Sequence, residues 1–310
     1  MKGVILAAGR GTRLNPVTKL IPKPLLPIAN RTTLEYAFDR LKEMDVHDIC
    51  IVIGETEEQM RRALGDGASF DVNLTYVRQI EPHGLAHAVG FARDFVGDDS
   101  FVLYLGDAIY SGGFQKFAAR FKESGCANLS VVKEMPDPTH FGVANVEGDR
   151  IVKLVEKPKV PESNLCMAGL YFFGPELWSV LPELKPSFRG EYEITDAIQI
   201  LVDRGLPVLA GIFKDRWFDT GTLDFYLETS AFYLHGGVLV APTATAVGDL
   251  SNNVAIGEGA RLECGSIEDS VILPGAHVKV SGNIRHSIIG GPVSIDGDIE
   301  NTILHGNYKG

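Results

Sequence analysis

The 310 residues carry little that could staple the chain covalently, anchor it or give it a basic face. The four cysteines, Cys50, Cys126, Cys166 and Cys264, are isolated and form no Cys-x-x-Cys pair. A disulfide framework or a thiolate zinc site has no spacing to support it, so ordinary buried thiols are expected. No run approaches the ~20 apolar residues of a membrane span. The apolar segment 3–8 is short and is followed at once by Arg10 and Arg13, unlike a secretory signal, and the expected setting is the cytoplasm. Positive charge is in deficit: 29 Lys and Arg stand against 40 Asp and Glu, a net charge of −11. That balance argues against a nucleic-acid or anionic-membrane binder, which shows a basic face. A small anionic ligand remains open if a few cations gather in one cleft. Also missing are the Gly-x-Ser-x-Gly of a nucleophile elbow and the Gly-Lys-Ser/Thr that ends a Walker loop. The third glycine of a dinucleotide fingerprint is absent too, since Gly9-x-Gly11 runs on to Leu14 and Pro16.

What is present suits a folded protein: 45% of residues are hydrophobic and 22% charged. A chain of this length buries about 75% of its unfolded surface and has room for roughly two domains. As far as about Leu234, short apolar runs (4–6, 49–53, 74–76, 101–105, 129–132) alternate with helical patterns. One helix opens near Thr32 or Thr33 and repeats Leu34, Ala37, Phe38 and Leu41 at helical spacing. Others cover 57–64, 85–95, 114–121, 194–202 (capped by Thr195 or Asp196) and 222–234. Runs apolar on both faces between such helices predict an α/β fold with its sheet covered on both sides. After Gly236-Gly237 the helical period stops. Ile272, Val278, Ile284 and, after a one-residue slip, Ile289 and Ile295 recur at about six-residue intervals. That period predicts a parallel β-helix of three hexads per coil and about four coils, with a small β-sandwich as the alternative.

Several positions could carry chemistry. Gly9 and Gly11, in a loop after the first strand, let backbone N–H groups approach phosphate oxygens. Arg13 and Lys23, fixed among prolines, suit a polyphosphate, although a glycine turn with solvated basic residues would read the same way. Asp107, after a buried strand, could hold Mg²⁺ by one or two oxygens or close a turn. Asp219 offers a second carboxylate or a helix cap. Glu156 and Lys157 pair a hydroxyl acceptor with a phosphate donor, or belong to a surface charge run with Lys153 and Lys159. Gln79 ends a strand with an amide that could read a base edge. His83 and His87 have no metal spacing and read as surface or packing residues.

Together these segments resemble the sugar nucleotidyltransferases, and among them the glucose-1-phosphate thymidylyltransferases most closely. The resemblance runs over Leu6-Ala7-Ala8-Gly9-x-Gly11-Thr12-Arg13-Leu14-x-Pro16 and Pro22-Lys23-Pro24-Leu25-Leu26-Pro27. It continues through Gln79 with Pro82-x-Gly84-Leu85-Ala86, Gly106-Asp107, Phe141-Gly142-Val143, Glu156-Lys157-Pro158, Ala168-Gly169-Leu170-Tyr171, Glu191-x-Glu193-Ile194-Thr195-Asp196 and Trp217-x-Asp219-x-Gly221-Thr222. It implies a Rossmann-like, mixed and mostly parallel sheet sandwiched by helices over residues 1–235. A left-handed parallel β-helix tail would follow over 236–310. The implied reaction moves a nucleotidyl group from a nucleoside triphosphate, dTTP before UTP, to a sugar 1-phosphate such as glucose 1-phosphate, with Mg²⁺ as cofactor. Arg13, Lys23 and Lys157 would be catalytic. Leu6, Ala8, Gly9, Gly11, Thr12, Gln79, Pro82, Gly84, Leu85 and Asp107 would bind nucleotide. Gly142, Glu156, Lys157, Gly169 and Tyr171 would seat the sugar phosphate, and Asp107 and Asp219 the metal. Ala108 and Phe141 depart from the Asn and Tyr common in the family. The competing readings are a UTP-dependent enzyme, a silent sugar-nucleotide-binding homologue and an acyltransferase using the tail. For the tail itself, subunit contact in a homo-oligomer or cover for apolar surface of the first domain is expected.

Overall fold

The computed structural model describes residues 1–306, and the chain packs into two compact units. One holds residues 1–9, 37–106 and 110–217; the other holds 10–36, 107–109 and everything from 218 onward.

The first unit is built on nine strands: β1 (Lys2–Ala7), β2 (Asp48–Ile53), β3 (Asn73–Arg78), β4 (Phe101–Leu105), β5 (Asn128–Glu134), β6 (Gly142–Glu147), β7 (Arg150–Glu156), β8 (Leu165–Phe173) and β9 (Val208–Ile212). Their order is β3-β2-β1-β4-β8-β5-β9-β7-β6. Pairing is parallel across β3, β2, β1 and β4 and between β9 and β5. It turns antiparallel where β8 meets β4, β5 and β6 and where β7 meets β9 and β6. The sheet is mixed, as expected, but not mostly parallel: along this order four neighbouring pairs are parallel and four antiparallel. Its antiparallel share comes from β8 and from the hairpin β6–β7, whose patchy apolar pattern gives a weak strand signal. The central strands are buried on both faces, so their residues alternate between two cores. Val4, Leu6, Phe101 and Leu103 pack with Ala86, Val89, Val180, Ile198 and Leu201 from helices on one side. Ile5, Val102, Tyr104 and Phe172 are buried on the opposite side, where the ring of Phe121 stacks on Phe172 at 5.7 Å.

Most helices lie where the apolar period places them. The helix Thr33–Lys42 starts at a reciprocal cap in which the Thr32 amide donates to Glu35 Oε2 at 2.6 Å and the Glu35 amide donates to Thr32 Oγ1 at 3.3 Å. Two expectations need correction. The pattern over 85–95 is broken into Leu85–Gly90 and Arg93–Val96, with the interruption just after the weak helix former Gly90. The helix Ile194–Asp203 takes Glu193 as its N-cap without a side-chain bond, and Thr195 and Asp196 stand inside it.

The second unit contains the tail, whose larger sheet is parallel throughout. Val238 pairs with Val254 and Val254 with Ser270, then Val271 with Ile288 and Ile288 with Ile303, so a coil consumes 15 to 17 residues. Three full hexads per coil were expected; the coils are shorter. Ile272, Val278, Ile284 and Ile289 point into the coil interior, as the six-residue period predicts. Ile295 does not, and is 36% exposed. A second apolar cluster joins the outward residues Ala255, Val271, Leu273 and Ile288 to Leu14, Val17, Leu26, Ile28, Phe218, Tyr226 and Leu227. The loop bearing Arg13 and Lys23 is thereby fixed to the coil. All four cysteines are free, and among the described residues no helix is long and apolar enough to cross a membrane.

Candidate active site

Four charged residues named from the sequence meet in the second unit. The loop that follows β1 turns at Gly11 and passes through Thr12–Leu14, and Thr18 Oγ1 donates to the Gly11 carbonyl at 2.9 Å. Further along it, Lys23 is buried and reaches Asp107, to whose Oδ2 its Nζ donates at 2.6 Å. The same Nζ lies 3.9 Å from Asp219 Oδ1, and Arg13 Nη2 lies 3.7 Å from Asp219 Oδ2. A two-stranded ribbon, Ala108–Tyr110 with Trp217–Asp219, sets the two carboxylates side by side, and Thr220 Oγ1 donates to the Asp107 carbonyl at 3.0 Å. Asp219 does not cap the following helix, which takes Thr222 instead. Burial pushes the Asp219 carboxyl up from its usual range and the charge of Asp107 adds to this, against the pull of Lys23, Arg13 and the Gly221 amide.

Among the described residues no three His, Cys, Asp or Glu side chains gather as a metal centre. The pair Asp107 and Asp219 is a smaller set, of two carboxylates. An ammonium already stands between the two carboxylates, which marks the spot as one where a cation is favoured. Two monodentate oxygens fit Mg²⁺, which keeps most of its shell for water and substrate phosphate.

The first unit holds the other candidates. Gln79, 5% exposed, follows β3, and its Nε2 lies 3.0 Å from Nδ1 of His87. Gly84 has φ of 104°, and a Cβ there would stand 2.5 Å from the Tyr192 carbonyl oxygen, so only glycine lets this loop lie on that backbone. Pro82 is exposed, whereas Leu6 is buried. Glu156, at the end of β7, accepts from Thr195 Oγ1 at 3.0 Å and has Arg189 Nη1 at 3.6 Å and Lys157 Nζ at 3.8 Å from Oε1. The same Arg189 nitrogen lies 3.2 Å from Glu193 Oε1. Burial, then the charge of Glu193, raises the Glu156 carboxyl above its usual range. Gly142 is register partner to Glu156, and its Cβ would stand 2.5 Å from Thr195 Cγ2 and 3.1 Å from Glu156 Oε2. Gly169 lies within the irregular stretch of β8.

Tyr171 is 3% exposed, stacked on Phe173, and lies close enough to Glu156 for that charge, after burial, to raise its phenol. His87 is a correction, since it bonds a proposed base-reading residue instead of merely packing. Arg189 was not singled out, although it lies two residues before the Glu191 motif. Its contacts with Glu156 cross more than thirty residues, and no local pattern reports them.

Comparison with known proteins places this geometry in a family. Residues 2–236 match the nucleotidyl transferase family. The low-salt glycan biosynthesis nucleotidyltransferase Agl11 of Haloferax volcanii is 35% identical, over 94% of this chain and 92% of that protein. A glucose-1-phosphate thymidylyltransferase of Streptomyces antibioticus is 36% identical, over 96% and 83%. Among solved structures, a putative glucose-1-phosphate thymidylyltransferase from Bacillus anthracis in complex with a sucrose superposes with a TM-score of 0.70 at 36% identity, covering 75% of this chain and 94% of that one. UDP-glucose pyrophosphorylase complexed with UDP-glucose gives 0.68 at 28% identity, over 75% and 97%. The chain belongs to the nucleotidyl transferase family.

Proposed function

We propose that the chain transfers a thymidylyl group from dTTP to glucose 1-phosphate, releasing pyrophosphate. The observation that carries this reading is the buried Lys23 between Asp107 and Asp219, with Arg13 beside it. Relatives named for this reaction match nearly the whole chain. The sugar's phosphate oxygen attacks the α-phosphorus in line. It is already ionised at neutral pH, so no general base is required. Positioning and electrostatic stabilisation then carry the step. Lys157 aligns the attacking phosphate, while Arg13 and Lys23 stabilise charge on the departing pyrophosphate. Gly9, Gly11 and Thr12 offer backbone to the phosphates, Gln79, Gly84 and Leu85 hold the base, and Glu156 accepts a sugar hydroxyl beside Gly142 and Gly169. Asp107 and Asp219 would hold Mg²⁺, which when bound neutralises phosphate charge between the two anions.

A UTP-dependent reaction is the second reading, favoured by the amide of Gln79, which suits the edge shared by thymine and uracil. In functional terms residues 1–235 form the catalytic domain, an extent supported by the family match to 236. Of the expected tail 236–310, the described part, 236–306, would form a left-handed coil serving a homo-oligomer, and a cytoplasmic setting suits free thiols and nucleotide substrates. The test is a grid of dTTP, UTP, CTP, ATP and GTP against several sugar 1-phosphates with Mg²⁺, scored by pyrophosphate. Highest turnover for dTTP with glucose 1-phosphate is expected, and no pyrophosphate in any cell would overturn the reading.

A further inference from the structure

Gln79 is the residue on which the pyrimidine reading rests, and its amide lies within bonding reach of a histidine. The side chain is buried, and its Nε2 lies 3.0 Å from Nδ1 of His87, across the loop 80–86. With the amide nitrogen on this side, the neutral imidazole accepts at Nδ1 and carries its own proton on Nε2, the tautomer this pairing selects. One Gln79 N–H is thus spent on His87, leaving Oε1 and the second N–H. That pair complements the N3–H and adjoining carbonyl of thymine or uracil. Cytosine presents a bare N3 beside an amino group and calls for the two ends of the amide to be exchanged.

We propose that His87 is a positioning residue that sets thymine and uracil against cytosine, by pinning the Gln79 amide with Nε2 toward the imidazole. The inference rests on the reading that Gln79 binds the base. The imidazole is itself held in place: Phe91 and His83 meet it edge-on at 5.1 Å, and Tyr192 stacks on it at 6.2 Å. Burial, then the charge of His83, holds His87 below its ordinary pKa against the opposing charge of Glu81, which itself pairs with His83 at 2.9 Å. His83, Glu81 and Tyr192 are the titratable groups around it, and they leave it neutral near pH 7.5. A cavity of about 470 Å³, lined by His83, His87, Leu181, Leu184 and Tyr192 among others, gives the ring access to water. Protonation would place a hydrogen on Nδ1, donor against donor, and the amide would turn over to offer Oε1 instead.

The experiment is a set of kcat/KM values for dTTP, UTP and CTP with glucose 1-phosphate at pH 7.5 and 5.5, using wild type, His87→Phe and Gln79→Ala. Taking ratios cancels any acid effect common to the nucleotides. In wild type the dTTP/CTP and UTP/CTP ratios should fall as acidification protonates His87, through KM for dTTP and UTP more than through kcat. His87→Phe, which keeps a ring but has no acceptor, should show the low ratio at both pH values. If Gln79→Ala collapses the ratio but His87→Phe keeps it, the inference about His87 is overturned and the base reading stands. If Gln79→Ala itself keeps the ratio, both fall. Should His87→Phe fail to fold, His87→Leu takes its place: a ratio as high as that of wild type at pH 7.5 overturns the proposal.

Discussion

Lys23 stands between two carboxylates and Arg189 among three, Glu156, Glu191 and Glu193, one site in each compact unit, but they are built for different ends. Lys23 is a compact ammonium whose side chain is 8% exposed, and Asp107 and Asp219 around it remain 44% and 34% exposed. Its anions face outward while the cation is sunk behind them. At Arg189 the order is reversed, because the guanidinium is 28% exposed and Glu193 behind it only 3%. A fork of five donors suits carboxylates held for good. A single ammonium at 2.6 and 3.9 Å is a weaker claim on both. The first arrangement leaves carboxylate oxygens available to an incoming cation, and the second locks Glu156 as an acceptor.

The sharpest way to break this contrast is to neutralise the outward carboxylates. Asp107→Asn and Asp219→Asn should each lower the rate of pyrophosphate release by about a thousandfold, with far-UV circular dichroism unchanged. Each variant leaves Lys23 one carboxylate partner, so the fold is expected to survive the change. Full turnover retained in both variants would remove the metal assignment.

Arg189→Met should act on stability first. It leaves Glu193 buried without a cation, although Ser187 Oγ still donates to it at 2.9 Å. A loss of about 2 kcal/mol is expected, or a Tm lower by roughly 5 °C. The sign with pH follows from Glu156, whose carboxyl is raised by burial and then by Glu193, and which here loses one lowering influence. A raised carboxyl stabilises below its unfolded value and loses that stabilisation as pH rises through the folded one. The Tm deficit against wild type should therefore shrink on acidification and widen toward neutral pH. A deficit independent of pH would mean that lost packing, and not the stranded charge, causes it.

Much of the scaffold behind these sites is legible in the chain. The apolar runs 49–53 and 101–105 fall within observed strands because both faces of those strands are buried, leaving no polar residue to blur the signal. The helix Glu57–Leu64 matches at both ends. The coil's inward residues follow from a six-residue period, but its repeat of 15 to 17 residues does not. The composition of the second unit was also beyond local reading. It joins residues 10–36 and 107–109 to the tail through Leu14, Val17, Leu26, Ile109 and Ile288, contacts that cross up to about 270 positions. Gly9, Arg13 and Asp107 were candidates on chemistry alone, but their roles came from resemblance. Arg189 and His87 act across loops whose pairings have no period.

A third residue between carboxylates, in the second unit, sharpens the comparison by being titratable. His286 Nδ1 lies 2.5 Å from Asp269 Oδ2 and its Nε2 2.8 Å from Asp224 Oδ1. It sits at a corner of the coil where Asn253, Asp269, His286 and Asn301 all adopt positive φ, and the bond to Asp224 ties that corner to the helix Leu223–Leu234. Burial lowers the imidazole, but its bonds to Asp224 and Asp269 and their charges outweigh that, so its pKa is raised above the usual 6.5. A raised histidine stabilises fully below its unfolded pKa and loses the effect as pH rises through the folded value. His286→Gln should therefore cost most below pH 6.5 and progressively less above it, the opposite trend to Arg189→Met. With Asp224 81% exposed, solvent screens the pair, and the cost should be at most about 1 kcal/mol and reduced by salt. Tm series for both variants from pH 5.5 to 8.5, at low and high salt, would measure it. Parallel pH trends in the two variants would show that the lysine, arginine and histidine sites differ only in burial and not in the charge state each holds.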